Sequence, residues 1–214
     1  MDTSFLENLG SMRDGRGQFW GVVVGLVTNN QDPEKLGRVK VKFPWLSDTD
    51  ESFWARVATP MAGKNRGLYL LPEVDDEVLV AFEHGQVEFP YILGALWNGK
   101  DTQPESNGDG KNNMRSLTSR SGHVVRLDDT DGSEKIEIID KTGKNKMTFS
   151  AADNTITIAA DADITIQSNT GKVKLVGQGI ELSSQAEVKI EASSTADLKA
   201  NGQTTIKGAT VNIN

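Results

Sequence analysis

The chain has no cysteine in its 214 residues, which excludes a disulfide framework and a thiolate metal site. Its imidazoles are two, His84 and His123. No apolar run approaches the ~20 residues needed to span a bilayer as a helix. The opening MDTSFLENLGSMRDGRGQ lacks the basic-then-apolar pattern of a secretory leader, so synthesis in the cytoplasm without a signal peptide is expected. Basic excess is missing too: 23 basic residues against 30 acidic ones leave a formal charge of −7. That argues against a phosphate backbone as main partner, and no nucleic acid is expected.

Two other residue types run out part-way along the chain. Of 13 aromatic residues, 12 lie at or before Trp97, and all six prolines lie at or before Pro104. The two halves are therefore built from different material. Between them runs NGKDTQPESNGDGKNN, from Asn98 to Asn113, too polar to bury a core of its own. The expected division is an N-terminal segment at 1–18, a barrel at 19–97, a linker at 98–121 and a needle at 122–214.

The first half reads as short valine- and leucine-rich strands separated by turn residues. GVVVGLVTN, GRVKVKFPW, ESFWARVATP, GLYLLPEV, DEVLVAFEHG and PYILGALW give five or six strands without helical periodicity. A small closed barrel of the oligonucleotide/oligosaccharide-binding (OB) type suits them better than an open sheet, because closure removes exposed edges.

The second half repeats. Apolar residues at i and i+2 recur as Ile156/Ile158, Ile164/Ile166, Val173/Leu175, Ile180/Leu182, Val188/Ile190, Ala196/Leu198, Thr204/Ile206 and Val211/Ile213. Their starts are 8, 9, 7, 8, 8, 8 and 7 residues apart. An i, i+2 pair places two side chains on one face of a strand, and about four polar residues suffice for the turn to the next. Upstream, Val125/Leu127, Ile136/Ile138 and Met147/Phe149 show the same pairs at wider spacing, with DDTDGSEK and DKTGKNK as longer loops. The needle is expected to begin near Gly122.

Strands with two inward apolar residues each cannot form a stable single layer, since backbone groups and half of the core would stay open. A single-chain β-helix with three octads per turn is one solution. Three chains stacking their strands alternately on three shared faces is the other. A solitary β-helix needs terminal caps, whereas this repeat runs through VNIN with no aromatic stack, so the triple-stranded form is expected. With some 11 strands per chain at ~4.8 Å spacing, the needle would be roughly 50 Å long.

The phrases GRVKVKFPW at 37–45, SFWARVATPMAG at 52–63, LLPEVDDEVLVAFEHG at 70–85 and PYILGALWNG at 90–99 together resemble the OB domain of phage baseplate spikes and of the VgrG spikes of type VI secretion. SGHVVRLDDTDGSEKIEIIDKTG at 121–143 is similar to that family's passage from barrel into needle. The fold so implied is all-β: an OB-type barrel followed by an intertwined, homotrimeric β-helix. The resemblance is to the spike part alone, and therefore implies a separate hub protein at the barrel end, as in phage tails and extracellular contractile injection systems. It also implies a conical PAAR-type tip protein bound near Val211, Asn212, Ile213 and Asn214. Ile156, Ile158, Ile164, Ile166, Val173, Leu175, Ile180, Leu182, Val188, Ile190, Leu198 and Ile206 would line the needle core. The function implied is mechanical, with transient contact with a target membrane only. The His-x-His pattern by which some phage spikes hold a tip metal is absent from the sequence, so no metal is expected.

Chemistry-bearing clusters are sparse. Asp128, Asp129, Asp131 and Gly132 look like a fragment of a calcium loop, but position 127 is leucine, and Asp-Gly is a turn signal in its own right. His84 and His123 have no matching nucleophile in sight. Glu83 and Glu88 would flank a hairpin tip rather than a cleft. Trp20, Trp45, Trp54 and Trp97 could stack on bases or sugars, yet core packing or contact with another protein suits an acidic domain better. Catalytic residues and cofactors are expected to be none. The rival readings are a trimeric spike that binds or cleaves polysaccharide, and a monomeric OB module with a solenoid tail.

Overall fold

The computed structural model describes residues 18–46 and 49–212, and divides into two units, 1–161 and 162–214. Among the described residues of the first, regular structure is β-strand, apart from one 3₁₀ turn at Glu83–Gly85.

Five strands make the barrel: β1 (Val22–Asn29), β2 (Lys40–Lys42), β3 (Arg56–Val57), β6 (Glu77–Phe82) and β7 (Pro90–Ala95). A two-residue-stranded hairpin, β4 (Ala62–Gly63) and β5 (Arg66–Gly67), projects between β3 and β6. The sheet order is β2-β1-β6-β7-β3, antiparallel except where β3 runs parallel to β7. The ring closes through the residues just before β3. Val39 bridges Ala55 and Lys42 bridges Glu51, with Val39 and Ala55 exchanging amide bonds of 3.0 and 2.7 Å. This is the expected OB-type closure.

Alternation explains the core. β6 reads EVLVAF with Val78, Val80 and Phe82 buried and the intervening residues half-exposed. Val27, Val39, Val41, Phe43, Ala55, Val87 and Ile92 complete the interior. Buried Ser52 at the closing seam is satisfied, accepting from the Val41 amide at 3.1 Å and donating to the Phe53 carbonyl at 2.7 Å. Gly85 has φ +73°, and a Cβ there would meet Gln18 and Phe19 at 3.0–3.1 Å, so the chain entering the barrel requires glycine at this turn. GLYLLPEV does not form the expected strand. After Gly67 it runs irregularly, with Leu68, Tyr69 and Leu70 exposed, since no neighbouring strand offers it a ladder.

A second five-stranded sheet follows: β8 (Met114–Thr118), β9 (Val124–Asp128), β10 (Lys135–Ile139), β11 (Lys146–Ser150) and β12 (Thr155–Ala159). It is an antiparallel meander in chain order. Its first strand lies inside the stretch expected as linker, so the ladder starts before Gly122. Asp-Gly and Thr-Gly turns drive the reversals, with Gly132 and Gly143 at φ +72° and +73°.

In the second unit the chain is extended between bends that begin at Asp161, Asn169, Gly177, Gln185, Ser193, Asn201 and Ala209, every eight residues. The nine-residue interval between apolar pairs falls at a three-residue bend, Asn169–Gly171, where Ser168 Oγ accepts from the Gly171 amide at 3.1 Å. Among the described residues, no strand ladder forms within 163–212.

Candidate assembly surfaces

Register in the meander gathers the apolar pairs on one face. Leu117 stands opposite Val125, Val125 opposite Ile138, Ile138 opposite Met147, and Met147 opposite Ile158. A parallel row runs through Leu127, Ile136, Phe149 and Ile156. In the single chain this face stays open: Ile136, Ile138, Ile156 and Ile158 are 46–64% exposed. Leu117 belongs to this face and was missed by the pair pattern, because its i−2 partner is Arg115.

The opposite face is mixed, carrying half-buried Met114, Val124 and Ile139 beside charged and polar residues. Arg126 stands opposite Glu137 with an N–O distance of 3.8 Å, and also pairs with Glu105 at 2.9 Å. Asp128 is buried and accepts from the Thr130 amide at 3.0 Å. The Thr130 side chain and amide hold its carboxyl below the ordinary value, with Lys135 and Arg126 assisting and burial opposing. The calcium-loop fragment is thus a hairpin turn whose first carboxylate is taken up locally. At the next hairpin Asp140 does the same with Thr142 and Asn145.

The octad residues continue the apolar theme. Ile164, Ile166, Val173, Leu175, Ile180, Leu182, Val188, Ile190, Leu198 and Ile206 are all exposed in the single chain. Most residues beside them in the chain are polar, as in Lys189 and Glu191, which pair at 2.7 Å beside Val188/Ile190; Val176, next to Leu175, is an apolar exception. Val211 and Asn212 are exposed as well; Ile213 and Asn214 lie outside the described residues, as do residues 1–17.

The remaining candidates are not gathered into a common site. His84 occupies a left-handed conformation (φ 49°) in the 3₁₀ turn, and His123 Nδ1 accepts from the Lys141 amide at 3.2 Å. Glu83 accepts from the Tyr91 hydroxyl, while Glu88 stands apart on the turn beyond buried Val87. The tryptophans are not core residues. Trp20 and Trp97 are 61% and 70% exposed. Trp45 stacks on Phe19 at 5.7 Å, and Trp54 lies beneath Arg38 and Lys40 at 5.9 and 5.7 Å. Both cations are engaged, Arg38 with Asp32 at 2.8 Å and Lys40 with Glu51 at 3.1 Å.

A closed five-stranded barrel followed by open apolar faces has clear relatives. Residues 23–97 match the family model of the type VI secretion system/phage-baseplate injector OB domain. The chain is 33% identical over 135 residues to the type VI secretion system spike protein VgrG1a of Pseudomonas aeruginosa, a match covering 58% of this chain and 21% of that protein. It is likewise 33% identical over 128 residues to the spike protein VgrG3 of Vibrio cholerae, covering 54% of this chain and 13% of that one. The chain spans about a fifth or less of the length of these curated relatives. Residues 23–97 are thus similar to the injector OB domain of type VI secretion systems and phage baseplates, and the chain is similar over 54–58% of its length to VgrG spike proteins.

Proposed function

We propose that the chain is the non-enzymatic central spike of a contractile injection system, and that three copies complete it as an intertwined β-helix. The observation that carries this is the run from 163 to 212. It is extended, bent every eight residues, and shows its isoleucines and leucines to solvent without a ladder of its own. Two further copies, offset along the same axis, would supply strand partners for the backbone and cover the apolar pairs. Each isoleucine, leucine or valine so covered contributes about 1.5–3 kcal/mol, repeated along the octads of three chains.

Mechanism then lies in stiffness. A hub at the barrel end transmits the thrust of sheath contraction, and the ladder carries it as a column. A PAAR-type protein on Val211, Asn212, Ile213 and Asn214 meets the target envelope first. The needle's polar outer residues let it pass without adhering, so its membrane contact is transient. The particle is assembled from a cytoplasmic pool and meets the target envelope on firing.

Light scattering on the full-length chain tests this. The expected mass is three times 23.2 kDa, lost in a variant carrying Ile166→Asp and Ile190→Asp, which would put unpaired charge in the shared core. A native chain that runs as a monomer overturns the reading.

A further inference from the structure

The buried apolar core of the described residues lies wholly between Val27 and Ile92. Among the described residues, nothing apolar and buried joins the barrel to the β8–β12 sheet. What joins them is polar. Asn98 Nδ2, just after the last barrel strand, donates to Glu77 of β6 at 3.1 Å. Glu105, midway along 98–113, receives Arg126 of β9 on Nε at 3.0 Å and on Nη2 at 2.9 Å. Arg120, at the β8–β9 turn, reaches back to Glu73 in the barrel at 2.6 Å.

The middle contact differs from the other two. Glu105 and Arg126 side chains are only 24% and 28% exposed, and Arg126 also faces Glu137, 10% exposed, which takes Lys135 at 3.5 Å. Both nitrogens converge on one oxygen, Glu105 Oε1, with the Glu137 carboxylate behind the guanidinium at 3.8 Å, so the contact is charge-assisted and half-shielded from water. Residues 98–113 have the composition of a free linker, yet this clasp ties their middle, Glu105, to the Arg126 side of the sheet.

We propose that Glu105 and Arg126 form an electrostatic latch: they hold segment 98–113 against the sheet and couple barrel to needle through charge rather than packing. The latch opens while both folded parts remain intact. It makes the junction the first element to yield under load or high salt. The inference is independent of how many copies assemble, because every contact in it lies within one chain.

The test is hydrogen exchange on the full-length protein, following amides of 98–113 against those of β9 and β10. Raising sodium chloride from ~0.1 to ~1 M shortens the screening length from ~10 to ~3 Å. Exchange in 98–113 is expected to rise roughly five- to tenfold, with the strand amides unchanged. Glu105→Gln in low salt should reproduce that rise and abolish the further effect of salt. Unchanged exchange in 98–113 on both treatments overturns the latch, and so does a loss of protection that spreads equally through β9 and β10. The native chain's salt response stands as a test even if the variant misfolds.

Discussion

Ile138 stands directly opposite Val125 across the β9–β10 ladder, and the two are 50% and 43% exposed in the single chain. Two aliphatic residues paired by backbone register and half open to water stabilise little alone. Their value lies in being covered by something else. Ile138→Asp is expected to leave the strand signal in circular dichroism intact and to abolish the proposed trimer in light scattering. A trimer of native heat resistance in this variant would show that the face is not an assembly surface.

The barrel can be followed separately, because Trp20, Trp45, Trp54 and Trp97 all lie at or before residue 97. Ile92 is fully buried between β3 and β6. Ile92→Ala should lower the barrel's stability by about 2–5 kcal/mol, read as a shift in the urea midpoint of tryptophan fluorescence.

Gly85 tests the entry to the barrel. Its positive φ and the 3.0 Å approach of Gln18 to a new Cβ mean that Gly85→Ala strains the backbone and crowds Phe19. A loss of about 1–3 kcal/mol is expected on the same fluorescence assay. A neutral result would mean that residues 18–19 pack elsewhere.

Acid should loosen the β1–β2 loop in a defined sense. The Arg38 side chain bonded to Asp32 holds its carboxyl well below the ordinary 3.8, with the amides of Glu34, Leu36 and Arg38 adding and burial opposing. A depressed folded value means that the contribution is fully present above the ordinary value and fades as pH falls through the folded one. The native barrel is therefore expected to lose urea resistance between about pH 4 and pH 2. Asp32→Asn should be less stable at pH 7 and flatter across that window; parallel curves for the two proteins would refute the assignment.

Bends every eight residues make a register prediction. Deleting Gln185 through Ala192 removes one whole octad, and should leave a trimer with a shorter needle. Deleting Gln185 alone turns every following side chain to the opposite face and should destroy it. Light scattering on the two deletions distinguishes them, and equal behaviour would mean that the octad is not the structural unit.

Much of this was readable in the residues themselves. The alternation EVLVAF and KVKF needs only period two and burial to give barrel strands. The i, i+2 pairs likewise marked which face of the later strands is apolar, because in an extended chain sequence spacing alone decides facing. Composition showed the change of material after Trp97. What no local pattern could supply was partnership. GLYLLPEV has strand composition and remains irregular for lack of a neighbour, whereas RSL at 115–117, inside a polar stretch, became part of β8 because β9 stood beside it. Glu105 had no signal at all, since its role depends on Arg126 lying 21 residues away along the chain. The sequence by itself determined the alternating faces, the eight-residue bends and the acidic, cysteine-free chemistry, all set by neighbours within a few residues. Closure of the barrel through Val39 and Ala55, and the clasp that ties Glu105 to Arg126, were decided only by the tertiary structure, because hydrogen bonds and ion pairs between distant segments exist only once those segments meet.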